Sequence, residues 1–106
     1  MPKYLVQASY TPEGIQGLMK DTASGRRAAV QAAVKAAGGK MDAFYFAFGS
    51  DDAVIILDLP DNVTAAAIGL TTSGSGLVRV RTTPLLTVDE VDKALEMKTK
   101  YRAPGK

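Results

Sequence analysis

A chain of 106 residues is long enough for one domain with its own core, and a net charge of +2 from 13 bases and 11 acids is too balanced to point to nucleic acid. Cysteine is absent, which excludes disulfides, thiolate zinc, iron–sulfur clusters and cysteine nucleophiles; histidine is absent too, which removes the usual haem, zinc and copper ligand and the usual general base near neutral pH. "MPKYLVQASYTPEG" has no apolar signal core and no run is long enough to cross a bilayer, so the expectation is a cytoplasmic protein, off the membrane, with no metal and no cofactor.

"KYLVQASY" (Lys3–Tyr10) is short and rich in β-formers, which predicts a first strand. Thr11-Pro12-Glu13 opens a helix, with Thr11 as N-cap, proline at the first helical position and an acid in the first turn. Ile15, Leu18 and Met19 keep helical spacing, "KDTASG" interrupts it, and "RRAAVQAAVKAA" resumes it as far as Gly38-Gly39. One long helix with a break near Asp21–Gly25 is therefore expected. "KMDAFYFAF" and "AVIILDL" read as a second and third strand joined by Gly49-Ser50-Asp51-Asp52. Pro60-Asp61-Asn62 ends the third strand and caps a second helix, "VTAAAIGLTTS", whose small residues suit close packing on a sheet. Ser73-Gly74-Ser75-Gly76 follows a helix and precedes a strand, the reverse of a phosphate loop, and reads as a helix end and turn. "GLVRVRTTPLL" is the fourth strand, with Pro84 suited to an edge. Thr87-Val88-Asp89-Glu90 is a capping box for a third helix with Val91, Ala94 and Leu95 facing inward, and "YRAPGK" is a tail. The order β-α-β-β-α-β-α predicts an α+β ferredoxin-like plait: a single domain over residues 1–106, a four-stranded antiparallel sheet in the order 4-1-3-2, and helices on one face.

"PKYLVQASYTPEG", "SGRRAAV", "GGKMDAFYFAFGSDDAVIILDLPDN" and "LLTVDEVDKAL" with the later "YRAPG" together resemble the GYD-domain family of small bacterial proteins, nearly end to end. The resemblance implies a relative of the dimeric α/β-barrel proteins, in which two ferredoxin-like plaits oppose their sheets, and hence a homo-oligomer. It implies a fold and an assembly rather than a reaction. The Gly-Tyr-Asp that names the family falls on Gly49-Ser50-Asp51, so the tyrosine is missing and no chemistry that needs that phenol applies here.

Strand alternation sorts the sheet into two faces. If Gly49–Asp52 closes a short even hairpin, Phe48 faces Ala53, Phe46 faces Ile55 and Phe44 faces Leu57, all on the side the helices cover, together with Tyr4, Val6, Ala8, Tyr10, Val78 and Val80. The other side reads Leu5, Gln7, Ser9; Ala43, Tyr45, Ala47; Val54, Ile56, Asp58; Leu77, Arg79, Arg81, Thr83. It is too apolar for water and too charged for a dry core, which marks an interaction surface, and the assembly implied by the resemblance supplies a second copy as partner. Gln7, Asp58, Arg79 and Arg81 are the polar members expected at that interface, with Asp58 the best partner for Arg79 or Arg81.

Three stretches invite a chemical reading. Asp51 and Asp52 offer carboxylates, but neighbours on a strand point to opposite faces and hard cations want several oxygen ligands, so the quartet reads first as a turn. Arg26 and Arg27 stand at a helix start, against the macrodipole; they are solvated, or paired with Asp21 or a neighbouring subunit, or else hold an anion. "FYFAF" on such a sheet resembles the aromatics of RNA-binding plaits but lacks the accompanying basic-glycine-aromatic signature, so no nucleic acid is expected. Two functions are consistent with these residues. One is a homo-oligomeric module holding a small apolar or anionic ligand, with Tyr10, Arg26, Arg27, Tyr45 and Asp51 as candidate contacts. The other is a cofactor-free enzyme of the dimeric α/β-barrel kind, a monooxygenase or isomerase, with Tyr10 or Tyr45 as acid, Asp51 or Asp58 as base and Arg26 as anion anchor.

Overall fold

Tyr4, Val6 and Ala8 are buried along β1 (Lys3–Tyr10) while the residues between them are half-exposed, and this period of two decides which side of the sheet the helices cover. A computed structural model describes all residues, 1–106. The chain continues through α1 (Pro12–Ala36), β2 (Lys40–Phe46), β3 (Ala53–Asp58), α2 (Asn62–Gly74), β4 (Val78–Leu85) and α3 (Val88–Glu96). The sheet is antiparallel throughout in the order β2-β3-β1-β4, the expected plait.

The local signals act where the sequence places them. Thr11 accepts the Gly14 N–H at 3.2 Å ahead of Pro12. Asp61 caps α2 through the Thr64 N–H at 2.8 Å, and Thr87 and Glu90 form a reciprocal capping box on α3. α1 ends in a Schellman turn: the Gly39 N–H bonds the Val34 carbonyl and the Gly38 N–H that of Lys35, with Gly38 at φ +83°. The break in α1 falls at Thr22 (φ 69°, ψ 163°), whose hydroxyl accepts the Gly25 N–H at 3.2 Å and so caps the second half of the helix.

The core lies between the sheet and the first two helices. Its largest fully buried side chains are Tyr4, Val34 and Leu59, and the Tyr4 phenol stays satisfied there by donating to Asn62 Oδ1 at 2.6 Å. Two expectations need correction. The β2–β3 connection is longer than a four-residue hairpin: Ala47 donates to the Asp52 carbonyl at 2.8 Å, Phe46 pairs with Ala53, and Phe44 with Ile55 rather than Leu57. Phe48 is left in the loop and fully exposed. β1 overrides the local turn preference, because Asp52 donates its N–H to the Ala8 carbonyl and accepts the Tyr10 N–H on its side chain, both at 2.8 Å. The slip is two residues, so it conserves faces: Phe44 packs on the core, Phe46 stands beside it with ring centroids 5.1 Å apart, and Tyr45 points to the uncovered side. A bulge at Asp42 returns Met41 to the core side.

The second correction concerns α3. No residue of this helix is buried, and Val91 and Leu95 are 41% and 78% exposed. Amphipathic spacing says that a stripe is to be covered but not by which molecule, and here α1 and α2 already occupy the covered face of the sheet.

Candidate functional site

The residues singled out above fall on the two sides of the sheet, and the sheet keeps them apart. On the helix side, a cavity of about 300 Å³ lies between the sheet, α1 and α2. Val6, Ala8, Ile55 and Leu57 form its floor, Phe44 closes one flank, and Val30, Val34 and Ile68 come down from the helices. Its few polar residues are Tyr10, Arg26, Thr72 and Thr82, and no carboxylate is in the wall.

The kink at Thr22 restarts α1 just before Arg26 and turns that side chain toward the cavity. The Arg26 Nε is buried with no hydrogen-bond partner, and the nearest carboxylate, Asp21 Oδ2, is 3.9 Å from Nη1, too far for a hydrogen bond. A second cleft of about 270 Å³ at the kink shares Tyr10, Arg26, Thr72 and Val78 with the cavity. Arg27, one residue on, is exposed, so only one of the two helix-start arginines reaches this space.

Near the uncovered face the two adjacent aspartates, Asp51 and Asp52, have separate tasks. Asp51 accepts from Gln7 Nε2 at 3.2 Å, Ser9 Oγ at 3.3 Å and Arg81 Nη2 at 2.7 Å, and only 13% of its side chain is exposed. Asp52 faces the backbone of β1, as described, and no group of three acids is placed to hold a metal. Gln7, Ser9, Ser50, Asp51, Arg79 and Arg81 line a shallow depression, and Tyr45 stands exposed on the same face. Ser50, at the place of the family tyrosine, is exposed and contributes its carbonyl to Ser9 Oγ at 3.3 Å.

Asp58 does not pair with Arg79 or Arg81 within the chain. It accepts from Lys3 Nζ at 2.8 Å, and Lys3 also bonds Asp42. The Asp42 and Asp58 carboxylates hold the Lys3 ammonium above its ordinary range, and Lys3 holds Asp42 below the usual carboxylate range. The reason lies along the strands rather than across them. Asp58 is opposite Lys3 while Arg81 is opposite Gln7, an offset of roughly 13 Å at about 3.3 Å per residue. An arginine of the same chain spends itself on Asp51 instead. Thr22, Asp52 and Ser9 carry contacts that the sequence left unassigned; the signal for Ser9 was present, since it lies two residues from Gln7 on one strand face.

The architecture is that of an α+β protein built as a ferredoxin-like plait. The GYD domain model matches residues 4–95, and the chain belongs to that family. No curated protein and no solved structure matches it. No helix is long and apolar enough to cross a membrane.

Proposed function

We propose that this GYD-family protein is a homo-oligomeric binding module: the helix-side cavity takes a small, mainly apolar molecule, and a second copy covers the open sheet face. The observation that carries the reading is the cavity. It is a cleft of about 300 Å³ lined mainly by apolar side chains and open to solvent past the exposed Ala29 and Ala33. A concave, mostly apolar space of this size with a few polar groups is the usual form of a small-molecule site. With neither histidine nor carboxylate in the wall, the space has no obvious base, and binding is the chemistry its residues support.

Self-association rests on surface area. A compact monomer of 11.2 kDa exposes about 5,700 Å², against 7775 Å² for this chain, an excess of about 2,100 Å². The radius of gyration, 16.9 Å, likewise exceeds the roughly 13 Å of a compact domain of this length. An excess of this size per chain matches the large interface of an obligate oligomer. Leu5, Val54, Ile56 and Tyr45 on the open face and Val88, Val91 and Leu95 on α3 are the surface to be hidden.

The cavity reading is tested with 1-octanol in thermal unfolding, on the wild type and on Val30→Phe, which fills the space. A saturable rise in Tm that Val30→Phe abolishes is expected. No rise in the wild type, or an equal rise in Val30→Phe, refutes the reading. Light scattering tests the assembly: a mass near 11 kDa at micromolar concentration overturns it.

A further inference from the structure

We infer that the molecule bound in this cavity is a small monocarboxylic acid with an apolar tail, its carboxylate held by Arg26. The inference rests on the cavity's being a binding site and adds the chemical class of the occupant.

The cavity is uneven in polarity. Arg26 is the sole charged residue in its wall, and Arg26, Tyr10 and Thr72 sit where it meets the cleft at the kink, while the rest of the wall is aliphatic or phenylalanine apart from Thr82. An occupant that satisfies both parts needs an anionic head at the kink and an apolar remainder within. The state of the guanidinium says more. Buried polar groups almost always have a partner, and the buried Nε of Arg26 has none, with Asp21 at 3.9 Å from Nη1 leaving that side of the fork open as well. The guanidinium presents its N–H groups in parallel pairs that match the two oxygens of one carboxylate, and with Nε enclosed the pair left to do so is that of the two Nη groups. Thr72 does not compete for this role, because its hydroxyl donates to the Ile68 carbonyl of its own helix at 2.6 Å.

Two further features narrow the class. Asp21 beside the guanidinium already compensates part of its charge, which favours a monoanion over a phosphate dianion. The space of about 300 Å³ sets the scale of the occupant, which is a small molecule at the lower end of ligand-site sizes. A carboxylate with a short tail, aliphatic or aromatic, is on that scale.

Calorimetric titration of the full chain with octanoate, 1-octanol and octanamide decides the point. Octanoate is expected to bind about 10- to 100-fold tighter than the two neutral molecules, the ratio a hydrogen-bonded charge supplies. Arg26→Met is expected to erase that preference, bringing octanoate to the level of 1-octanol in the same variant, and Arg26→Lys to lose most of it because an ammonium is not a fork. Equal binding of octanoate and 1-octanol by the wild type, or an undiminished preference in Arg26→Met, overturns the inference. The wild-type comparison decides even if the variant does not fold. If 1-octanol binds and octanoate does not, the carboxylate falls and the binding cavity stands; if neither binds, both fall.

Discussion

At Gly14 α1 lies tight against the backbone of Leu77, and replacing this glycine with alanine tests whether that approach is as close as the geometry says. A Cβ built there lies 1.9 Å from the Leu77 carbonyl oxygen, 2.9 Å from the carbonyl carbon and 3.2 Å from a Tyr10 ring carbon. The carbonyl has to retreat by more than 1 Å to reach ordinary contact, and it is not free to do so. It accepts from the Thr11 N–H at 3.0 Å and from the Thr11 hydroxyl at 3.2 Å, so retreat loosens the cap of α1. Overpacking costs about 1–3 kcal/mol and each lost hydrogen bond about 1 kcal/mol, while alanine returns about 1 kcal/mol of helix propensity. The net expectation is a loss of about 2–4 kcal/mol, or a fall in Tm of roughly 10–30 °C. Gly17 supplies the control on the same helix, since nothing lies within 4 Å of its built Cβ, and Gly17→Ala should stabilise by up to about 1 kcal/mol. Urea unfolding of both variants gives the comparison, with the midpoint moving and the slope constant. If Gly14→Ala unfolds within about 0.5 kcal/mol of the wild type, smaller than any of the costs above, the close approach of α1 to Leu77 is wrong.

Thr22→Gly should stabilise by about 1 kcal/mol in urea, because the backbone there costs a side chain about 1–3 kcal/mol, offset by the lost hydroxyl cap and by the freer unfolded glycine; a net loss would refute the left-handed break. The Asp61 and Glu90 carboxylates lie below their ordinary range, held by the Thr64 and Thr87 backbone N–H groups respectively. Groups depressed on folding add stability that is present above the unfolded pKa and lost as pH falls through the folded one, so α2 and α3 should weaken below about pH 4. Far-UV circular dichroism checks this: a helix signal constant from pH 5 to 2, or a Glu90→Gln variant titrating as the wild type does, would contradict it. Ile56→Asp, at the centre of the open face, should shift the light-scattering mass toward the monomer; an unchanged mass would place the interface elsewhere.

The candidate site was legible in part. The charge of Arg26 and Arg27 against the helix dipole singles out one turn of α1 as a candidate, and the interruption at "KDTASG" locates the break that precedes it. That only Arg26 enters the cavity was not legible, because helix phase after a kink depends on the dihedral angles of Thr22, which nothing in its neighbours specifies. Asp51 and Asp52 have turn composition, and nothing in it indicates that β1 takes hold of both. The partner of Asp58 within the chain is not legible either, because it depends on the offset along the strands, which puts Asp58 opposite Lys3 and Arg81 opposite Gln7.

The chain's own order of signals determined the βαββαβα plait, the caps at Thr11, Asp61 and Thr87, the stop at Gly38-Gly39 and the two faces of the sheet. Each of these is set by residues within a turn or two of one another, where propensity, capping and alternation act directly. Tertiary structure alone decided the length of the β2–β3 loop, the exposure of Phe48 and the α3 stripe, the partners of Asp51 and Asp58, and the cleft between the sheet, α1 and α2 with Arg26 in its wall. These depend on how far strands slide past one another and on how completely distant side chains fill a shared volume. Such quantities belong to pairs of segments far apart in sequence, and no local pattern encodes them.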